Sequence, residues 1–185
     1  HADYYSDTFM IAGSGSGVGG TADGCYFLYQ ETSGDCGIQA RVTDLANAGS
    51  MTQAGVMMRL YNANPGVKNA AVFVSPSDGV VFQWRDTNFG GTASTNVPGI
   101  SLPCWVKLER SGDTFSGFYS TDGSSWTQVG TSQTVSGIGA LTITGPAVTS
   151  GDSDKTVIAT MDQISVNLTP ALPEIDDEVL VAGNT

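Results

Sequence analysis

Along most of the chain, apolar and polar residues alternate at a period of two, in short runs closed by Gly, Asn, Asp or Ser. This is the period of a half-buried β-strand, whose side chains point alternately to the two faces of a sheet. The runs predict strands at Thr8–Ala12, at Cys25–Gln30 and around Ile38, Ala40 and Val42. Further strands are predicted at Val56–Tyr61, Ala70–Ser75, Val80–Arg85, Trp105–Arg110, Thr114–Ser120, Trp126–Val129, Leu141–Val148 and Val157–Val166. Gly13–Gly20 reads as a loop, Glu31–Asp35 as a turn and Ser111-Gly112-Asp113 as a hairpin connection. Nowhere do apolar residues recur at i, i+3, i+4 and i+7 over the roughly 10–12 residues that a helix needs. About a dozen strands with turn signals between them predict an antiparallel β-sandwich.

The length, 185 residues, is that of one domain, and the strand pattern places it at residues 1–168. After Leu168 the texture changes. Thr169-Pro170-Ala171-Leu172-Pro173 is linker-like, because proline stiffens the chain and cannot join a central strand. The remainder, residues 174–185, is acidic at first and then carries the apolar run Val179, Leu180, Val181.

Charge narrows the partners. Seven Lys and Arg stand against 18 Asp and Glu, a net charge of −11, which gives no electrostatic footprint for nucleic acid. The same balance disfavours anionic membranes, and no apolar run approaches the roughly 20 residues of a membrane span. The chain opens at His1 without a leader, as expected of a processed secreted chain or of a segment of a larger one. An extracellular or cell-surface location follows as the expectation. The three cysteines lack a C-x-x-C spacing, so thiolate zinc is not expected. Two readings of them stay open: three small buried hydrophobes, or one disulfide joining Cys36 and Cys104, each expected on an inward face at the start of a strand. Asn167-Leu168-Thr169 is a glycosylation sequon in a host that uses one.

Candidate binding residues cluster in two strands and the loop after the second. Glycan sites combine aromatic platforms with a few directed polar groups. Arg59, Tyr61, Gln83, Trp84, Arg85, Asp86, Asn88 and Phe89 supply both. If Val56, Met58 and Leu60 face the core, Arg59 and Tyr61 face out. If Phe82 and Trp84 face in, Gln83 and Arg85 face out, on the same side as Arg59. The alternative is that both arginines are structural ion-pair partners and Trp84 is core. Trp105 and Trp126 read as packing residues. A structural calcium ion is the cofactor the composition allows, with Asp23, Asp152, Asp154 and Asp162 as candidate oxygen ligands, or these are solvated surface carboxylates. No other cofactor is expected. His1 is the lone histidine, so Ser-His and Cys-His nucleophilic systems lack their base and a His-rich metal site is excluded.

Several segments, in order, resemble the bacterial secreted branch of the concanavalin-A-like lectin/glucanase sandwiches. They are Gly13-Ser14-Gly15, Gly20-Thr21-Ala22-Asp23, Phe27-Leu28-Tyr29-Gln30, Ser33-Gly34-Asp35 and Ala40-Arg41-Val42. Ala54-Gly55-Val56-Met57-Met58-Arg59 and Phe82-Gln83-Trp84-Arg85 follow. The most specific are Trp105-Val106-Lys107-Leu108-Glu109-Arg110-Ser111-Gly112 and Phe118-Tyr119-Ser120-Thr121-Asp122-Gly123-Ser124-Ser125-Trp126. The second of these resembles an Asp-box hairpin, in which a Trp packs beneath the turn. Together the matches span roughly residues 5–168 and imply an all-β, concanavalin-like jelly-roll sandwich of two antiparallel sheets. They are weaker for function, because one fold hosts many.

The resemblance implies glycan binding or scaffolding without catalysis. The glucanases of this fold carry paired carboxylates on one strand as Glu-x-Asp-x-x-Glu. No such cluster occurs here: Glu109 is alone on its strand and Glu31 lies in a turn. The chain is therefore expected not to be an enzyme. Cys36 and Cys104 stand where the family has other residue types, so a disulfide there would be particular to this chain. Family domains usually open with one further strand, acidic, then apolar, then Gly and small residues. That strand is missing before His1, and residues 177–185 have its character. Two functions follow. In the first, the chain is an extracellular structural or adhesive unit of a filament, sheath or repeat adhesin. Its Val179-Leu180-Val181 strand then completes a neighbouring copy or repeat domain, beside the neighbour's Tyr5–Ala12. In the second, it is a carbohydrate-binding module of a secreted polysaccharide-degrading enzyme.

Overall fold

The computed structural model describes residues 1–168, and these form seventeen strands and no helix. None of it, therefore, is a helix long and apolar enough to cross a membrane. The strands are β1 (Ala2–Tyr5), β2 (Thr8–Gly15), β3 (Gly17–Gly19), β4 (Ala22–Gly24), β5 (Tyr26–Phe27), β6 (Gln30–Ser33) and β7 (Cys36–Ala46). Next come β8 (Gln53–Leu60), β9 (Asn69–Ser75), β10 (Gly79–Arg85), β11 (Ala93–Val97), β12 (Cys104–Ser111) and β13 (Thr114–Ser120). Last are β14 (Thr127–Gln128), β15 (Gln133–Thr134), β16 (Leu141–Thr149) and β17 (Asp152–Leu168).

Two antiparallel sheets face each other. An eight-stranded sheet runs β1-β2-β17-β7-β12-β13-β14, with β15 also on β13. A seven-stranded sheet runs β11-β10-β9-β8-β16-β5, with β6 also on β16. The alternation read from the sequence sets which side chains meet between them. Ile38, Ala40 and Val42 of β7 and Val106 and Leu108 of β12 pack against Val56, Met58, Val72 and Phe82 of the opposite sheet. All of these are fully or almost fully buried, which is how a sandwich of this size removes apolar area from water.

The seven-stranded sheet is also buried on part of its outer face. Met57, Ala71, Phe73 and Ala147 point away from the main core and are covered by Val18 of the β3–β4 hairpin. This flap is pinned by polar contacts. Gln83 donates to the Val18 carbonyl, and the Val18 N–H donates to Gln53 at 3.2 Å. Arg85 donates to the Asp23 carboxylate at 2.7 Å, to Thr92 at 3.0 Å and to the carbonyls of Val67 (3.0 Å) and Gly19 (3.3 Å). Asn69 adds two bonds to the same carboxylate, at 3.0 and 3.2 Å. The Arg85 and Asp23 side chains are 0% and 1% exposed.

Cys25–Gln30, expected as one strand, is two. The register carries through from Phe27↔Ala147 to Gln30↔Thr144, so Leu28 and Tyr29 stay beside β16, but the ladder is interrupted there. Pro146 explains the break. The Pro146 carbonyl accepts the Leu28 N–H at 3.0 Å, and the nitrogen of a strand residue points to the same side as its carbonyl. The missing N–H therefore faces Leu28–Tyr29, where the ladder has no donor. Gly145 allows the crossing: a Cβ there would lie 1.9 Å from the Leu28 carbonyl oxygen.

β17 is bent by a register shift between Asp162 and Ser165, where Gln163 has a positive φ of 50°. On one side it pairs with β7 as far as Leu168↔Cys36. On the other it pairs with β2 only as far as Asp162↔Thr8. Residues 163–168 thus have no strand on that side among the described residues.

Other expectations change. β1 was not legible, because Tyr4 and Tyr5 are exposed on an edge hairpin and do not alternate. β11 was missed because it too is an edge strand, with polar residues at its centre. The Gly13–Gly20 loop is the end of β2 and the start of the flap. The hairpin at Ser120–Trp126 is closed by Asp122, whose carboxylate accepts the N–H groups of Ser125 and Ser124 at 2.7 and 2.8 Å. These bonds, and then that of the Ser120 hydroxyl, hold the carboxyl well below its usual range. The indole under the turn is Trp105, 2.9 Å from where a Gly123 Cβ would stand. Trp126 instead lies against Lys107, 4.6 Å from its ring centre.

The Cys36–Cys104 disulfide is overturned: all three cysteines are free. Both do start a strand, but β7 and β12 are antiparallel, so Cys36 lies opposite Arg110 and Cys104 opposite Val42. Six residues at roughly 3.3 Å each put them about 20 Å apart, far beyond disulfide reach. The expected Val179-Leu180-Val181 strand lies outside the described residues.

Two measurements follow. Burial pushes the Cys25 thiol up to about 12 and Cys104 up to about 11, and raises Cys36. At pH 8 the folded chain is therefore expected to react slowly with a thiol reagent such as Ellman's and to release three thiols on denaturation. One released thiol would mean a disulfide. Arg85→Met strands the Asp23 carboxylate in the interior and is expected to cost about 3–5 kcal/mol in urea unfolding. The double variant Arg85→Met with Asp23→Leu should recover much of that loss. Equal losses in the two would remove the charge from the explanation.

Candidate functional site

The register of the seven-stranded sheet places Glu31, Ile143, Arg59, Asn69 and Arg85 in one row across β6, β16, β8, β9 and β10. All five share the outer face. The flap covers the row at its Arg85–Asn69 end and stops before Arg59. A cleft of about 550 Å3 opens there, lined by Cys25, Phe27, Tyr29, Arg59, Tyr61, Asn62, Ala63 and Ile143. The alternation of Cys25, Phe27 and Tyr29 puts these three along one wall. Phe27 and Tyr29 have ring centres 5.3 Å apart. Tyr29 and Tyr61 are 55% and 50% exposed, which makes them accessible aromatic surfaces.

The polar groups of the cleft differ in how far they are satisfied. Hydrogen bonding to Glu31, and then its charge, hold the Tyr61 phenol above its usual range. The Cys25 thiol is held neutral by burial first and by the charge of Asp23 second. One terminal nitrogen of Arg59 donates to the Asn64 carbonyl. Its Nε is buried and has no partner.

Of the expected glycan-binding residues, the structure brings Arg59 and Tyr61 together in the cleft and places the others outside its lining. Gln83 is 3% exposed and Arg85 0%, both beneath the flap. The outward direction expected of them was right, but the hairpin that covers that direction was not visible as a strand signal. Trp84 packs against the main core, 5.3 Å from the Phe82 ring. Asn88 is exposed on the loop after β10, where its side chain accepts the Lys68 N–H at 3.1 Å. Asp86 and Phe89 lie on the same loop, outside the cleft lining. Phe27, Tyr29 and Ile143 were missed as site residues. The shared face of Phe27 and Tyr29 was legible, its exposure was not.

The four aspartates considered for calcium do not converge. Asp23 is committed to Arg85 and Asn69. Asp162 forms a two-bond pair with Arg41, the Nε donating at 2.6 Å. Asp152 accepts the Asp154 N–H at 3.0 Å and pairs with Lys155 at 3.0 Å; that N–H first, and the lysine after it, lower its pKa. Among the described residues no three His, Cys, Asp or Glu side chains stand together as a ligand set.

Behind the cleft, on the inner side of Leu28–Gln30, a second opening leads between the sheets. It is a slot of about 260 Å3, lined chiefly by Phe9, Leu28, Tyr29, Ile38, Pro146, Ile164 and Val166. One wall is the stretch of β17 that β2 leaves bare. Of the expected seat for an added strand, beside Tyr5–Ala12, the Thr8–Ala12 part is flanked by β1 on one side and β17 on the other, while Tyr5 lies on the edge strand β1.

No protein-family model matches this sequence, and no curated protein sequence matches it. Solved structures do. A protein of unknown function from Saccharomyces cerevisiae superposes with a TM-score of 0.70 at 16% identity, over 91% of this chain and 91% of that one. A xylan β-1,4-xylosidase from Bacillus halodurans gives 0.61 at 14% identity, over 86% of this chain, which spans only 32% of the enzyme. Peanut lectin gives 0.50 at 8% identity, over 89% of each chain. The chain therefore has the all-β, concanavalin-like jelly-roll sandwich found in lectins and glucanase-type proteins.

Proposed function

We propose that this chain is a non-catalytic extracellular structural or adhesive unit that joins copies of itself, or a neighbouring repeat domain, head to tail. The joint is an extended strand carrying Val179, Leu180 and Val181, seated beside β17 of the next unit. One observation carries this reading: among the described residues, no strand pairs with residues 163–168 of β17 on its β2 side, and this edge lies over an apolar slot. A bare edge presents free N–H and C=O groups, and an extended segment adds to it through main-chain bonds. Six residues of strand span about 20 Å. In an added strand, Val179 and Val181 share one face and meet Phe9, Ile38, Ile164 and Val166, while Leu180 takes the other. The stiff, two-proline spacer before the strand favours reaching a neighbour over a tight reversal. Such a contact is heterologous, so it propagates without closing. Asp23 is committed to an ion pair with Arg85, and no carboxylate is among the described residues lining the open cleft, which favours a non-catalytic role.

The test is the size of the particle in solution. The full chain is expected to form species that grow with concentration, by light scattering and electron microscopy, and a chain ending at Pro173 to stay monomeric. A synthetic peptide of residues 174–185 should bind the shortened chain, and Ile164→Asp should abolish that binding. A full chain that stays monomeric at every concentration, with its own tail in the slot, would overturn the proposal.

A specific observation favours a second reading, a carbohydrate-binding module. Tyr29, Phe27 and Tyr61 flank a polar cleft on the outer face of a lectin-like sandwich. Tyr29→Ala and Tyr61→Ala are expected to weaken retention of the chain on polysaccharide affinity gels, raising its mobility toward that of an inert standard, at unchanged melting temperature. Mobility equal to the unsubstituted chain's on every polysaccharide that retards it would exclude the cleft.

A further inference from the structure

Arg59 differs from the other buried arginine of its row. Arg85 has a carboxylate and an array of oxygens around it. Arg59 is only 9% exposed, yet among the described residues it forms no ion pair, and its one hydrogen-bond partner is a backbone carbonyl. Its Nε, like that of Arg85, is a buried donor without a partner, so what sets Arg59 apart is the missing counter-charge. An arginine cannot shed its proton to relieve this, so the cost of the buried charge stands until an anion arrives. The place where an anion can arrive is the cleft, whose wall Arg59 forms.

The surroundings define the anion. Arginine presents a planar fork that matches a carboxylate with two parallel bonds. The same cleft is lined by the half-exposed rings of Tyr29 and Tyr61 and by Phe27 and Ile143. Flat apolar surfaces of this kind suit a ring-shaped ligand better than an inorganic anion, which needs only donors. We propose that the cleft takes a carboxylate-bearing sugar, a uronic acid residue of an acidic polysaccharide, with its carboxylate on Arg59 and its ring against Tyr29 and Tyr61. This rests on the carbohydrate-binding reading and narrows its ligand. The net charge of −11 opposes a polyanion at long range, so its retention requires a short-range contact that outweighs that repulsion.

The experiment is calorimetric titration of the full chain with an oligogalacturonate and with the same oligosaccharide after reduction of its carboxyl groups. The acid is expected to bind at least about tenfold more tightly, the scale of one charge-assisted hydrogen bond. Arg59→Gln should remove that preference. Because Arg59 is buried and its substitution can unfold the chain, Asn62→Asp serves as an independent variant. Asn62 is exposed on the cleft rim, and aspartate keeps the acceptor that its side chain offers to the Asn64 N–H. The added negative charge should abolish binding of the acid and spare the neutral form. Equal binding of the two sugars overturns the uronate assignment and leaves the carbohydrate reading standing. Binding of neither, nor of any polysaccharide in a panel, overturns both. Displacement of bound oligogalacturonate by an acidic peptide at equal concentration also overturns the assignment, since the site would then read carboxylates without a sugar.

Discussion

A guanidinium with no exposure to water must find its counter-charge inside the protein, and Arg85 finds it in Asp23. The pair joins β10 to a hairpin that is otherwise held by Val18, by a few side-chain bonds and by two backbone bonds, Asp23 N–H to the Pro65 carbonyl and Thr92 N–H to the Gly20 carbonyl, each at 2.9 Å. With the flap in place, one half of the outer face of the seven-stranded sheet becomes a second small core. The other half stays open. The cleft is thus the remainder of a face that the ion pair has covered elsewhere, and its position is set by how far the flap reaches along the row from Arg85 to Glu31.

A second constraint comes from a single proline. Pro146 cannot donate on the side where Leu28 and Tyr29 pass, so the ladder loses a bond there although the register carries through. This segment forms two surfaces at once. Outward, Tyr29 joins Phe27 as a wall of the cleft. Inward, it borders the slot between the sheets, next to the stretch of β17 that β2 leaves unpaired. Cleft and slot therefore lie back to back across one short segment, with Tyr29 lining both. A ligand in one is separated from a strand in the other by the thickness of a backbone.

The sandwich was legible because its inner positions alternate strictly, as Ile38, Ala40 and Val42 do, and because turn residues close each run. What was not legible involves residues whose role depends on a distant partner. Gln83 and Arg85 were assigned the correct face, but a face is open or buried according to what folds over it, and the covering hairpin is glycine-rich and reads as a loop. Cys36 and Cys104 were both placed correctly at strand starts. Their separation depends on the antiparallel pairing of β7 and β12, which no local pattern encodes. The bare edge of β17 was invisible for a similar reason, since an unpaired backbone leaves no mark in the side chains. In the cleft, Arg59 and Tyr61 were found by alternation from Val56, whereas the exposure of Tyr29 depends on what folds beside its edge strand.

β17 is also the strand by which the described stretch of the chain ends. It stays paired with β7 up to Leu168↔Cys36, at its last residue, and its other half is held by β2 as well. Ladder hydrogen bonds run perpendicular to the strands. Tension applied at Leu168 along the direction of β17 therefore loads these bonds side by side, in shear, and none can be peeled open ahead of the rest. The same bonds pulled across the sheet would break in succession. The fold thus holds the Leu168 end of β17 in the orientation that resists such a pull, so that the strength of this strand depends on the direction in which it is loaded.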